Sequence, residues 1–356
     1  GKAVNPYNAL GKFFRAYLFY EMTMRVGDLP LKDALKGIEV LAPKYDTQKD
    51  IFIQILKWLE EANTDMAGLI AEGDNTLSGD FYFNNNLKAW QKTVNTFRLR
   101  VLISLSKKEQ DAALNIKQDF SNILNNKSNH PIFDNMTDNL QFVYVNPFNK
   151  YPTNPDNYGF DATRYNMSST YLGLLTGIKD PRTFAVAEPA GSKMKVGLLP
   201  SDHTAYIGAS PAEDLADMST KAGIDNGSNY VPGSYSFYGR KRYYSTYTAE
   251  PGILIGYPEM CFNIAEAINR GWVTGSAEEW YTKGIQASIG FYGIKEGVNT
   301  FYYLKAGGKV IESGDYIPYT VNFIFNDYNN QAAVKYAGNT SAGLTQILTQ
   351  KYLAFF

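Results

Sequence analysis

The sequence predicts a mainly α-helical protein, a scaffold of tetratricopeptide-like helical hairpins carrying a large loop-rich region. Three observations point there. Apolar residues recur at helical spacing through the first third of the chain. From about residue 128 to 256 the texture changes to Asn, Pro, Gly, Ser and Tyr with little periodicity. Helical spacing then returns at Tyr257, in two helices separated by a glycine and a capping motif.

Each element has its own signal. Leu10, Phe14, Tyr17, Leu18 and Met24 give a first helix over about residues 6 to 25, and Gly27 with Pro30 stops it. A second helix starts near Asp46, with Asp46 and Thr47 as candidate caps, and runs through Ile51, Ile55, Leu59, Met66 and Leu69. The third, Leu87 to Ser106, carries one apolar stripe: Trp90, Val94, Phe97, Val101 and Leu105. Lys92, Arg98 and Arg100 lie off that stripe and read as a solvated face. A fourth helix is expected from Gln110 to Leu124. The irregular stretch from 128 to 256 is too long for an ordinary loop and too aromatic for a disordered one. A helix from Tyr257, ended by Gly271, and a second from about Ala277 to Tyr292 form the helical hairpin, the second opened by the capping box Ser276-Ala277-Glu278-Glu279. A further loop region covers 295–341, with Ala306-Gly307-Gly308-Lys309 as a turn, and a terminal helix begins at 342. The whole, residues 1–356, reads as one domain: 1–127 scaffold, 128–256 loop-rich insertion, 257–294 hairpin, 295–341 loops and 342–356 the start of a last helix.

Composition narrows the function. Lys and Arg total 34 against 35 Asp and Glu, so no basic surplus exists to neutralise phosphates, and a nucleic-acid partner is not expected. Cys261 is the single cysteine and reads as a buried small hydrophobe. Two histidines, His130 and His203, are too few for a histidine-rich metal centre. Asp74, Asp80 and the run Asn84-Asn85-Asn86 offer oxygens of the kind calcium takes, though a polar loop after a helix explains them as well. No cofactor is implied.

The stripe Glu259, Asn263, Glu266 and Arg270 poses the one catalytic question. Glu259 and Glu266 share a helix face, but seven residues place their backbones about 10.5 Å apart. A retaining glycosidase wants its carboxyls about 5 Å apart, and an inverting one about 6.5–9.5 Å. A structural role is therefore expected. The rival enzyme reading is a surface hydrolase using the loop carboxylates Asp156, Asp161 or Asp202.

Several motifs, in order along the chain, resemble the SusD/RagB family of outer-membrane nutrient-binding lipoproteins of Bacteroidetes, in its SusD-like type 2 branch. The hairpin carries Glu-x-x-Phe-x-x-Ala-Glu-Ala-x-x-Arg-Gly-Trp over Glu259–Trp272, then Tyr281-x-x-Gly284-Ile285-x-Ala287-Ser288. Trp90 to Arg100 is similar to the family's Trp-x-Lys-x-x-Asn-x-Leu-x-x-Arg helix, with Phe97 in place of leucine. Val26–Gly37, where Val26 replaces an aromatic, Asp180-Pro181-Arg182, Thr248–Glu259 and the late Thr349-Gln350-Lys351 follow in order. The resemblance implies a non-enzymatic, surface-exposed protein that hands a nutrient to a TonB-dependent, SusC-like transporter. It also implies an N-terminal lipid anchor, which this sequence does not contain, and a Trp- and Arg-rich segment beyond the last helix. Glycan is the first expected ligand. The alternatives are a peptide, as for a RagB-like uptake component, or a tetratricopeptide-like scaffold for protein partners with no small ligand.

The ligand site is expected on the loop tyrosines. Sugar rings present apolar C–H faces to aromatic rings, and amide, carboxylate and guanidinium groups bond their hydroxyls. Tyr144–Tyr165 supplies Tyr151, Asn154, Tyr158 and Tyr165. Tyr230–Tyr247 supplies Tyr235, Tyr238, Arg240 and Tyr244. The competing explanation for each ring is that it pins a long loop to the scaffold.

Overall fold

The computed structural model describes residues 4–161, 166–223 and 231–355. In chain order the longer elements are α1 (Pro6–Val26), α2 (Gln48–Ala71), α3 (Leu87–Ser104), α4 (Ile116–Asn125), α5 (Ser169–Gly177), α6 (Tyr257–Asn269), α7 (Ala277–Phe291), β1 (Gly297–Leu304), β2 (Tyr316–Phe323) and α8 (Ser341–Leu353). The molecule is mainly helical, as predicted. The contacts gather into two compact units, each made of three stretches of chain: 1–140, 254–281 and 338–344, and 141–253, 282–337 and 345–356. Among the described residues no helix is long and apolar enough to cross a membrane.

The first unit is a stack of helices. α1 packs on α2, α2 on α3, and α3 on α4 and α6. Phe13, Ile51, Ile55, Leu59, Val94 and Phe97 are fully buried between them. The Phe97 ring takes Phe13 edge-on at 5.9 Å and Tyr20 at 5.3 Å. Gly27 closes α1 with φ +79°, a left-handed conformation that costs glycine least. Of the two candidate caps on α2, Thr47 takes the role, accepting the Asp50 N–H. Asp46 instead accepts the Leu31 and Lys32 N–H groups, at 3.0 and 2.9 Å, and holds the turn before the helix. The fourth helix starts later than expected: Asn115 adopts φ 47°, which breaks the helix, so α4 begins at Ile116.

The basic residues of α3 do not form a solvated face. Arg98 is 6% exposed and pairs with Glu60 and Asp119. Arg100 pairs with Glu259 through Nε at 2.6 Å and donates to the Leu254 carbonyl at 2.8 Å. Lys92 bridges Asp134 and Asp138. α3 is buried nearly all round, so its charges had to be met by carboxylates from distant parts of the chain. Asp80 accepts the Trp90 indole N–H at 2.8 Å and the N–H groups of Tyr82, Phe83 and Asn85. Asn86 caps α3, and Asp74 accepts from Thr76. These oxygens face N–H donors, the geometry of a polar loop.

In the second unit the stretch expected to be loop contains short helices: Tyr158–Asp161, α5, Thr183–Val186, Gly191–Lys195, Leu215–Lys221 and Arg240–Tyr243. Region 295–341 is not all loop either. β1 and β2 pair antiparallel from Gly297↔Phe323 to Leu304↔Tyr316, and the expected turn at 306–309 lies in their connection. Single bridges, Ser168↔Ala209 and Ala187↔Tyr238 among them, tie other parts of the backbone together. At Gly208 a Cβ would meet the Ser169 nitrogen at 2.4 Å, so only glycine admits that approach.

Arg182 is the hub of this unit. It is fully buried and pairs with buried Asp180, Nε to Oδ1 at 2.9 Å and Nη2 to Oδ2 at 2.6 Å. It also donates to Ser288 Oγ at 2.8 Å and Gln350 Oε1 at 2.6 Å. The Tyr328 hydroxyl donates to Asp180 and accepts from Gln350. One ion pair thus joins an inter-helix turn, α7, α8 and the segment after β2.

Candidate functional site

The tyrosine-rich segments meet in the second unit. Tyr243, Tyr244, Leu304, Val310 and Tyr316 form a buried cluster, and Tyr151, Tyr158 and Tyr238 pack half-buried against it. The short helix Arg240–Tyr243 places these groups. Its first N–H, that of Arg240, donates to Glu188 Oε1 at 2.9 Å, and the Arg240 Nε and Nη2 reach Oε2 of the same carboxylate at 2.9 and 2.6 Å. The Leu304 N–H also reaches that oxygen, at 3.1 Å. One buried glutamate therefore fixes the helix start, an arginine and the end of β1.

The eight expected ligand residues fall into distinct positions. Tyr238 stacks on Tyr243 at 4.0 Å with 12° between the planes. Tyr151 meets Tyr144 edge-on at 5.0 Å and lies near-parallel to Tyr243 at 6.4 Å. The Tyr158 hydroxyl accepts from Arg240 Nη1 at 2.9 Å, and its ring meets Tyr244 at 5.4 Å. Tyr244 is 2% exposed and Arg240 8%. Burial disfavours the Arg240 charge, but Glu188 and Tyr158 outweigh it and hold the guanidinium protonated. Burial pushes the Tyr238 and Tyr151 hydroxyls up as well. Asn154 is buried in its own turn, donating to the Tyr151 carbonyl at 2.8 Å and accepting the Asp156 N–H at 3.0 Å. Tyr235 stands apart from the cluster and donates to Glu213 at 2.7 Å. Tyr165 lies outside the described residues. Beside the cluster, Lys150 sits over the Tyr247 ring at 4.4 Å and pairs with Asp156 at 2.7 Å, and the Tyr247 hydroxyl donates to Asp156 at 3.0 Å. Phe148, 91% exposed, projects from the neighbouring tight turn.

The groups considered for catalysis are already engaged. Asp156 is held as above, and Asp202 accepts the Thr204 N–H, which lowers its pKa. The side chain of Asp161 lies outside the described residues. His203 donates to or accepts from the Asp180 carbonyl at 3.1 Å, with its ring against Phe184 at 4.5 Å. Burial pushes its imidazole down, so it stays neutral. In the first unit Glu259 is the counter-ion of Arg100, and Glu266 pairs with Arg270 at 2.7 Å. Among the described residues no three His, Cys, Asp or Glu side chains gather as a metal site. Buried rings and hydrogen-bonded edges of this kind can bind and orient a molecule; they place no nucleophile beside a free base.

Sequence reasoning missed a cavity of about 260 Å³ beside the short helix, lined by Phe184, Lys241, Arg242, Tyr292, Phe301 and Tyr302 among others. Lys241 and Arg242 were visible between the tyrosines; the direction each side chain takes from a one-turn helix was not.

Comparison with known proteins places the chain. Residues 2–356 match the SusD-like type 2 family, described as starch-binding associating with outer membrane. No curated protein matches. Among solved structures, a SusD homologue from Bacteroides fragilis superposes with a TM-score of 0.79 at 28% identity, over 99% of this chain and 69% of that one. An outer membrane protein from Bacteroides vulgatus, whose description connects it with nutrient binding, gives 0.76 at 32% identity over 99% and 71%. A chitin-binding SusD homologue from Flavobacterium johnsoniae shares the fold, with a TM-score of 0.67 at 20% identity over 98% and 65%.

Proposed function

The chain belongs to the SusD-like family, whose members are outer-membrane nutrient-binding proteins and not enzymes, and from that premise we propose that it binds an oligosaccharide at the cell surface and passes it to a SusC-like TonB-dependent transporter. In this reading a lipid anchor holds it to the outer membrane. The tyrosine cluster is the binding face. The observation that carries this is the set of half-buried rings, Tyr151, Tyr158 and Tyr238, seated on a rigid buried base of Tyr243 and Tyr244. Rings fixed on one side and open on the other lose little freedom when a sugar stacks on them. Asn154, Arg240 and Tyr244 shape it from beneath.

Two measurements test the reading. A glycan and peptide array with Tyr151→Ala and Tyr238→Ala should show glycan binding that each change weakens by about 1 kcal/mol or more, some fivefold. Binding to peptides alone would move the protein to the RagB-like reading. Affinity capture from native outer membranes should recover a large TonB-dependent transporter in about equal amount; recovery of the protein alone, under conditions that keep other such pairs intact, would remove the delivery role.

A further inference from the structure

We propose that the cavity beside the Arg240–Tyr243 helix is a subsite for an acidic sugar ring, one carrying a carboxylate or a sulfate, with Lys241 as its counter-ion. The inference rests on the glycan-binding reading above and narrows it to anionic glycans.

Charge is the first argument. Arg242 at the cavity wall is neutralised by Glu250 and lies over Tyr292 at 4.7 Å. Arg240, its neighbour, is taken by Glu188. Of the three basic residues of this short helix, Lys241 alone keeps an unopposed charge among the described residues. Its ammonium sits over Tyr316 at 4.7 Å and Tyr302 at 5.8 Å, and among the described residues no carboxylate pairs with it. A cation held against two rings, at the wall of a cavity with no net negative charge, favours an anionic guest.

The second argument is the strand edge. The Lys305 N–H donates to the Asp315 carbonyl at 2.9 Å, one step beyond the Leu304↔Tyr316 pair. Hydrogen-bonded and non-bonded pairs alternate along an antiparallel ladder. Phe301 and Tyr303 therefore bond across to β2, and the N–H and C=O groups of Thr300, Tyr302 and Leu304 point to the free edge. Glu188 takes the Leu304 N–H, as expected from that parity. Thr300 and Tyr302 line the cavity, and no other described group bonds their main chain there. Gly239 lines it too: a Cβ there would meet the Ala185 carbonyl at 2.9 Å, so that wall carries no side chain. Hydroxyls of a ring can use such free donors and acceptors, and Tyr292, Phe301 and Tyr302 supply apolar faces. At about 260 Å³ the space is just under the range of about 300–1,000 Å³ that holds drug-sized ligands, which suits one ring and excludes a chain.

Calorimetric titration of the full chain with an oligogalacturonate tetramer, a chondroitin sulfate tetrasaccharide and a neutral galactan tetramer tests this. At least one acidic probe should bind about tenfold more tightly than the neutral one, and the two acidic arms tell carboxylate from sulfate. Lys241→Gln should weaken the acidic probe about tenfold with an unchanged near-UV spectrum, and Lys241→Arg should restore most of the affinity. For a uronate, methyl esterification of the probe should match the loss caused by Lys241→Gln. Three results overturn the proposal: no preference for acid over neutral, acidic binding indifferent to Lys241→Gln, or an acidic peptide displacing the sugar and binding more tightly at Lys241. Neutral binding that falls with Tyr151→Ala would keep the glycan reading while overturning this one; absence of any glycan binding would overturn both.

Discussion

The two units use buried ion pairs for different ends. In the first, Arg100 and Glu259 join helices whose backbones are already satisfied by their own ladders. In the second, Asp180 and Arg182 tie their own irregular inter-helix turn to α7, α8 and the short segment after β2, and so give the turn bonds that no ladder provides. Helix can be specified by local periodicity; ordered loop needs side chains that reach across it. Tyr206, Tyr316 and Tyr328 serve the second unit in the same way, each burying a ring while its hydroxyl meets a partner.

The sharpest way to break the comparison is to remove each unit's anchor. Arg182→Met leaves the Asp180 carboxylate buried and unpaired, and should cost about 3–5 kcal/mol. Phe97→Ala opens a cavity among the first unit's helices and should cost a similar 3–5 kcal/mol. The sum does not separate the units, but hydrogen exchange does. Arg182→Met should raise exchange first in residues 141–253, and Phe97→Ala first in α1–α3. Equal loss of protection in both variants would show one cooperative block.

The sequence made the first unit legible and the second only in outline. Gly27, Thr47 and the Ser276 capping box marked helix ends that the structure keeps, with Ser276 Oγ accepting the Glu279 N–H at 3.1 Å. Arg98 and Arg100 were misread because their partners lie 38 and 159 residues away, where no spacing rule reaches. The hairpin β1–β2 escaped because its strands put aromatics on both faces and so show no clean alternation. Within the candidate site, the presence of tyrosines was legible and their depth was not. Arg240 turns to Glu188 and Lys241 turns away within one helical turn, a choice made by the buried carboxylate and not by the local sequence.

A pH scan sharpens the comparison at the next level down. Burial pushes His203 in the second unit below the ordinary 6.5, so folding favours its neutral ring. The unfolded chain takes up the proton first as pH falls past that value. The contribution is complete above about pH 6.5 and is lost below it, with a limiting slope of about 1.4 kcal/mol per pH unit. His130 in the first unit is pushed down the same way, by burial and by the Arg98 charge. The urea midpoint at pH 5.5 should therefore lie below that at pH 7.5, and His203→Gln should remove most of the difference. A slope that survives His203→Gln but vanishes with His130→Gln would reverse the ranking of the two units. Smaller again is Thr47→Ala, which deletes the cap of α2 and should cost about 1 kcal/mol in the same assay.

The smallest effect belongs to an ion pair of the second unit that resembles Asp180–Arg182 in chemistry but not in place. Lys150 and Asp156 are 2.7 Å apart, yet the Asp156 side chain is 54% exposed and Lys150 also rests on the Tyr247 ring. Water competes for both charges, and holding two long side chains in one geometry costs entropy. Lys150→Ala should leave the Tm unchanged within error, at low and at high salt. A clear drop that salt abolishes would mean that this surface pair, too, anchors the loops, and that burial is not what separates holding from decoration. If stability is unchanged, Lys150→Ala becomes a test of the rim alone: any loss of glycan affinity in that variant reports contact with the ligand at Tyr247, because the loops beneath it have not moved.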